Sequence, residues 1–118
     1  MELVTERVVG TTNTTTAVYL KSRQVPPGEF GIYDFGALYN QSGESVTLQW
    51  VILRGGDVIF VSADLTVADG DAYASTDLPT LMAGEILAAR VTGAAKKSTV
   101  TMVLSGVYPQ LNQIAESR

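Results

Sequence analysis

The feature that most constrains this chain is the regular spacing of its turn-forming residues. Runs rich in Val, Ile, Thr, Leu and aromatic residues are bounded roughly every eight to twelve residues by Gly, Asn, Asp or Ser, which is typical of an all-β sandwich or barrel. Helical periodicity is nearly missing. We predict strands at residues 2–9, 14–22, 29–40, 46–54, 58–65, 86–93 and 99–107, and therefore an antiparallel β-sandwich with jelly-roll or Greek-key connections.

Period-two alternation within these strands predicts which side chains form the core. The adjacent glycines of "RGGD" at 54–57 predict a hairpin between the fourth and fifth strands. On the last strand, Thr99, Thr101, Val103 and Ser105 share the face that we expect to meet solvent. The predicted core residues are Val46, Leu48, Trp50, Ile52, Ile59, Val61, Ala63, Leu65, Val100, Met102 and Leu104.

Composition bounds the class of protein. A chain of 118 residues with 46% hydrophobic residues fits one compact domain, and without cysteine it has no disulfide or thiolate chemistry. The net charge of -4 opposes a nucleic-acid partner, because phosphate binding depends on Lys and Arg. No run reaches the roughly 18 to 20 apolar residues of a membrane span, and the acidic start does not resemble a signal peptide. We expect a soluble cytosolic product that binds neither nucleic acid nor membrane.

The stretch "EFGIYDFGALYN" at 29–40 is apolar on both faces of its predicted strand. Strict alternation places Phe30, Ile32 and Leu38 on one face and Tyr33, Phe35 and Tyr39 on the other. Either the chain itself covers both faces, or the aromatic face meets another chain, since Tyr and Phe are enriched at interface cores. The second interpretation makes Tyr33, Phe35 and Tyr39 candidate partner-binding residues in a homo-oligomer.

Both ends of the chain differ from the middle. The polar run "GTTNTTT" at 10–16 predicts a hinge, so that residues 1–16 would form an extended N-terminal arm ahead of a sandwich domain at 17–108. Residues 109–118 would form a short C-terminal tail that is too short to be a stable helix alone. The apolar residues that we expect to bind a partner at these ends are Leu3, Val4, Val8, Val9, Leu111 and Ile114.

Signs of catalytic chemistry are few. The chain has no His and no Cys, which removes the commonest general base and the thiol nucleophile. One connection carries four acidic residues, Asp64, Asp69, Asp71 and Asp77. Their spacing lacks the order of a calcium-binding loop, so we predict no metal site. We also predict no cofactor and no enzyme activity. A glycan-binding module would need an exposed aromatic residue with polar neighbours, for which Tyr73 is the best candidate.

Residues 43–107 carry a recognisable pattern. A Val- and Thr-rich strand pair, "ESVTLQWVILRGGD", is followed by "DLPTLMAGEILAARVTGAAKKSTVTMVLSGV", with a Leu-x-Ala-Gly-Glu turn and a closing Val-Thr-x-x-x-Ser-Gly. "PPGEF" at 26–30 weakly echoes "LMAGEI" at 81–86, and each opens a predicted hairpin. The pattern resembles the small β-sandwich proteins of structural gene clusters in tailed bacteriophages.

The resemblance implies a virion component made in the bacterial host cytoplasm. Proteins of this kind include capsid decoration or cement proteins, which bind the major capsid protein, and also collar pieces and tail-fibre modules. Such proteins commonly sit on threefold positions, which favours a homotrimer. A decoration protein needs no active site, only a stable body and surfaces that make many weak contacts together. A collar or tail-fibre role, with receptor or glycan binding, is the alternative.

Overall fold

The computed structural model describes residues 2–12, 16–93 and 99–110. Within this part of the chain no helix is present, and none could therefore be long and apolar enough to cross a membrane. The described strands are β1 (Glu2–Thr11), β2 (Val18–Lys21), β3 (Ile32–Gln41), β4 (Val46–Arg54), β5 (Asp57–Phe60), β6 (Leu65–Val67), β7 (Ala72–Ser75), β8 (Ile86–Thr92) and β9 (Thr99–Tyr108).

The strands form a long antiparallel ribbon that is folded over on itself. β1 pairs with β9, β2 with β8, β3 with β7 and β4 with β5. Further pairing of β3 with β9 and of β4 with β8 joins the ribbon into two sheets. Sheet A has the order β1-β9-β3-β7, and sheet B has the order β2-β8-β4-β5 with β6 also on β4. This is a jelly-roll arrangement, and the predicted antiparallel β-sandwich is confirmed.

The core lies between the two sheets and follows the alternation that the sequence predicts on β4 and β9. All the core residues predicted on those two strands are buried. Trp50 lies at the centre of β4, and its indole Nε1 donates a hydrogen bond to Ser75 Oγ at 3.0 Å. Burial of these large apolar side chains is the main source of stability, at roughly 25 cal/mol per Å² of apolar area.

A bulge in β3 decides which aromatic residues face the core. Tyr33 pairs with Gly106 and Phe35 pairs with Ser105, so Asp34 is an extra residue without a partner on β9. The extra residue reverses the alternation, because two residues then oppose one. Tyr33 faces the core, whereas Phe35 and Tyr39 lie on the outward face. The predicted shared face of Tyr33, Phe35 and Tyr39 is therefore wrong.

The two Gly-Glu motifs form matching turns at one end of the sandwich. Glu29 N bonds to Pro26 O at 3.3 Å, and Glu85 N bonds to Met82 O at 3.0 Å. Each turn needs its glycine, since Gly28 has φ 77° and Gly84 has φ 87°. The hairpins expected after the two motifs do not form. β3 and β4 belong to different sheets, as do β8 and β9.

The N-terminal segment belongs to the sheet. β1 pairs with β9 over its whole length, from Glu2 opposite Tyr108 to Thr11 opposite Thr99. Residues 2–11 are thus an edge strand of sheet A, and the prediction of an arm that leaves the domain is wrong for them. Along one edge their main-chain groups pair with β9, and of their apolar residues Val4 is buried in the core while Val8 packs against it.

The predicted strand at 58–65 is broken into β5 and β6. Val61 N and Ser62 N both bond to Trp50 O, at 2.9 and 3.3 Å, and this double contact interrupts the pairing with β4. Ile59, Val61 and Ala63, expected in the core, are exposed, and Leu65 is half-buried. β7 was expected to be part of an acidic loop, and it completes sheet A instead.

Candidate functional site

The outward surface of sheet A is the first candidate contact surface, and we call it face A. It consists of the residues whose strand partners place them opposite the core side. Arg7 is the only charged residue among the described register pairs of this face. The members with described side chains are Thr5, Arg7, Val9, Thr11, Ile32, Phe35, Ala37, Tyr39, Gln41, Ala72, Ala74, Thr99, Thr101, Val103, Ser105 and Val107.

Large apolar side chains on face A remain accessible to solvent. Val9 is 58% exposed and Tyr39 is 43% exposed, and the strand register puts both opposite Thr101 of β9. Thr101, which the sequence placed in solvent, is buried, so the centre of the face is closely packed. A hollow of about 270 Å³ lies beside Tyr39 and is also lined by Arg7. The described register pairs of face A thus combine one charged residue, Arg7, with exposed apolar side chains at Val9, Ile32 and Tyr39.

The structure places the residues that were predicted to bind a partner on different sides of sheet A. Val9, Phe35 and Tyr39 lie on face A, with Phe35 half-buried. Val4 and Val8 face the opposite way, because Val4 is buried in the core cluster and Val8 packs against it. The side chains of Leu3, Leu111 and Ile114 lie outside the described residues.

Tyr33 is part of a buried hydrogen-bonded cluster and is not available to another chain. Its hydroxyl lies 2.6 Å from the Tyr108 hydroxyl and donates to Glu6 Oε2 at 2.8 Å. Burial raises the pKa of Tyr33 well above its ordinary value, and the hydrogen bonds to Tyr108 and Glu6 raise it further. Glu6 Oε1 accepts from Arg23 N at 2.7 Å, so the cluster joins β1, β3 and β9 to the loop after β2. Its role is structural.

The second candidate contact surface is the β5 patch, defined by Val58, Ile59, Phe60 and Val61. These four consecutive residues are all exposed, and β5 lies at the edge of sheet B. The Arg90 guanidinium lies 5.8 Å from the centre of the Phe60 ring, and Arg90 donates to Gln49 Oε1 at 2.9 Å. Edge strands with apolar side chains are ready sites for pairing with another chain. Sequence reasoning missed this patch because it assigned Ile59 and Val61 to the core.

The acidic residues do not form a metal site. Asp69 Oδ1 accepts a hydrogen bond from Gly43 N at 2.9 Å and so stabilises the turn between β3 and β4. Across residues 2–12, 16–93 and 99–110, no three carboxylates come close enough together to hold an ion.

A third feature is the seam pocket, a hollow of about 280 Å³ on the side of the sandwich between β7 and the β5–β6 segment. Tyr73 lies on β7 opposite Leu38, on the core side of sheet A, and is 37% exposed. It therefore has the exposure that the sequence analysis required of a glycan-binding aromatic residue. The pocket is lined by Trp50, Val61, Ser62, Leu65, Tyr73, Ser75, Asp77 and Leu78.

Among the described residues, large exposed apolar side chains occur on the face of sheet A and along the edge strand β5. Contiguous apolar surface on a soluble protein is a common mark of an interaction site. Comparison with known proteins gives no family: no family model matches the chain, and no curated protein is significantly similar to it.

Proposed function

We propose that the protein is a non-enzymatic structural protein of a virion, a capsid decoration or cement protein that binds the major capsid protein or another virion protein. The observation that carries this proposal is the pair of separate apolar surfaces, face A on one sheet and the β5 patch at the edge of the other. A decoration protein needs two kinds of contact, one between its own copies and one to the shell. The resemblance of residues 43–107 to phage structural proteins points to the same role.

Face A is assigned to contacts between copies of the chain. Among the described register pairs of face A, Arg7 is the only charged residue, and one charge offers no pattern for a strongly charged partner. Val9 and Tyr39 are large apolar side chains that a second copy would remove from water, at roughly 25 cal/mol per Å² buried. We propose three copies, because the virion proteins that the sequence resembles commonly occupy threefold positions.

The β5 patch is assigned to the shell. An edge strand can add to a neighbouring sheet, where main-chain hydrogen bonds supply affinity and alternate side chains fill pockets. Phe60 and Val58 point to one side of β5, because they pair with Val51 and Leu53 on the outward face of sheet B. Contacts of this kind are weak singly, and they become strong when several patches of one oligomer bind together. This route does not use residues 2–11, which pair with β9 in sheet A.

Sedimentation of the purified chain over a concentration series tests self-association. Val9→Arg and Tyr39→Arg should each convert the oligomer to monomer, because a buried unpaired charge costs several kcal/mol. Met82→Arg is the matched control, since Met82 is 56% exposed but lies in the turn before β8, away from face A. A monomeric wild-type chain, or an equal effect of Met82→Arg, would contradict the assignment of face A.

Immunogold electron microscopy of virus particles tests the location. Antibodies against the purified chain should label particles released from cells that express it from its natural gene. Gold over the capsid supports decoration, and gold at the collar or fibres supports the alternative role as a collar or tail-fibre module. Particles without label contradict a virion role. Phe60→Arg should remove capsid label if the β5 patch is the shell contact, while leaving the oligomer intact in sedimentation.

A further inference from the structure

The seam pocket exists because the two sheets are not joined along one side. On sheet A the edge strand β7 is only four residues long, and on sheet B the chain leaves the sheet between β5 and β6. Gly36 lies opposite Ser75 at the base of this opening. A side chain at Gly36 would meet Leu78 Cδ1 at 2.8 Å and Trp50 Cη2 at 3.2 Å. The absence of a side chain at that position thus lets Trp50 and Leu78 form the floor of the pocket.

The lining combines an aromatic ring, a carboxylate and hydroxyl groups with apolar walls. Tyr73 and Asp77 are exposed at the pocket, whereas Leu65 and Leu78 are half-buried. A sugar ring has an apolar face of C–H groups and a rim of hydroxyls. The first can stack on an aromatic side chain, and the second can bond to a carboxylate. A volume of about 280 Å³ is slightly below the roughly 300–1,000 Å³ of sites for drug-sized ligands and suits a single ring.

The hydrogen bonds already made in the pocket show which polar groups remain for a ligand. Ser62 Oγ accepts from Trp50 N and donates to Ala63 O, both at 3.0 Å, so its bonds serve the backbone. Ser75 Oγ accepts from Trp50 Nε1 at 3.0 Å, and its own hydrogen can still be donated. Ser75 and Asp77 therefore supply one donor and one acceptor to a ligand in the pocket.

We infer that the seam pocket binds a neutral hexopyranose, as the terminal residue of a glycan, with its ring stacked on Tyr73 and its hydroxyls on Asp77 and Ser75. Neutral sugars are specified because the lining holds a carboxylate and neither Lys nor Arg. An acidic sugar or a phosphate would meet Asp77 without a compensating cation. The three residues proposed to contact the sugar, Tyr73, Ser75 and Asp77, belong to neither face A nor the β5 patch, and only the wall residue Val61 is shared with that patch. The inference therefore stands or fails independently of the proposed assembly.

Trp50 gives a direct readout, because it is the single tryptophan of the chain and its indole lines the pocket. Purified protein is titrated with methyl glucoside, methyl galactoside, methyl mannoside and N-acetylglucosamine, and with glucuronate as the acidic probe. At least one neutral sugar should change the Trp50 emission saturably, with a Kd on the order of 1 mM for so small and open a site. Amide shifts of Tyr73 and Asp77 in NMR spectra should saturate at the same concentrations.

Variants separate specific binding from solvent effects. Tyr73→Ala and Asp77→Asn should each weaken binding by about tenfold or more, which corresponds to the loss of one good contact. Met82→Ala is the control, since Met82 is 56% exposed but lies outside the pocket and outside both contact surfaces, and it should bind as the wild type does. The inference is overturned if no neutral sugar gives a saturable change up to about 100 times that Kd. It is also overturned if Tyr73→Ala binds like wild type, or if glucuronate binds as well as the glucoside.

Discussion

Gly106→Ala tests the bulged pairing of β3 and β9, on which the orientation of the aromatic residues depends. Gly106 pairs with Tyr33, directly beside the extra residue Asp34. A Cβ atom built on Gly106 would lie 2.2 Å from Ile32 O and 2.8 Å from Tyr33 Cα. Both are backbone atoms of the neighbouring strand, so no side-chain rotation can relieve the contact.

The size of the effect follows from how far the strands must move. The contact with Ile32 O must lengthen from 2.2 Å to at least 3.0 Å, which separates β3 from β9 locally. Overpacking of this kind costs about 1–3 kcal/mol, and each weakened backbone hydrogen bond adds about 0.5–1.5 kcal/mol. Because alanine restricts the unfolded chain more than glycine does, the substitution also stabilises the folded state by about 0.4–1 kcal/mol. The net loss should be about 2–4 kcal/mol, or a fall in Tm of roughly 10 °C.

Urea unfolding followed by circular dichroism measures the loss of stability. If the dependence of the unfolding free energy on urea concentration keeps the wild-type slope, the shift of the midpoint concentration gives the loss directly. Gly56→Ala is the matched control, because nothing lies within 4 Å of a Cβ atom there and Gly56 does not have a positive φ. Its stability should stay within about 0.5 kcal/mol of wild type. If Gly106→Ala unfolds at the same urea concentration as Gly56→Ala, β3 does not pair with β9 in the bulged register, and the inward placement of Tyr33 fails with it.

Two further predictions concern the core. Trp50→Ala should lower the free energy of unfolding by about 3–5 kcal/mol, the range for large aromatic side chains in packed cores, and wild-type stability in urea would contradict its central position. The raised pKa of Tyr33 predicts that the protein loses stability at alkaline pH. Above pH about 10 the Tyr33 hydroxyl ionises in the unfolded chain but keeps its proton in the folded protein, so the unfolded state binds fewer protons. The free energy of unfolding should therefore fall by about 1.4 kcal/mol per pH unit. Tyr33→Phe should remove that part of the decline between pH about 9 and about 11, and urea midpoints that decline equally in both proteins would contradict the buried hydroxyl cluster.

The fold class and most strands could be predicted because they depend on local patterns. β4 has the predicted bounds, and the alternation on β4 and β9 identified their core residues, since a strand with one buried face must alternate. The hairpin at "RGGD" also formed as predicted, with Arg54 opposite Asp57, because Gly55 adopts φ 59° without steric cost.

The candidate contact surfaces could be predicted only in part. Val9, Phe35 and Tyr39 were identified from their apolar character and do lie on face A, whereas Val4 and Tyr33 are in the core. The β5 patch was missed, because an exposed edge strand and a buried central strand have the same apolar composition. What distinguishes them is the number of neighbouring strands, which is a property of the sheet order.

By itself, the sequence determined that this chain is a cysteine-free antiparallel β-sandwich, because turn spacing and alternation act over a few residues. Tertiary structure decided the rest. One unpaired residue, Asp34, reversed the faces of β3, and the rolling of the ribbon placed residues 2–11 against β9 at the far end of the chain. It also brought Trp50, Tyr73 and Asp77 to one pocket. These outcomes depend on pairings between residues distant in sequence, and the free energy of such pairings is set by which strands become neighbours, not by any local run of residues.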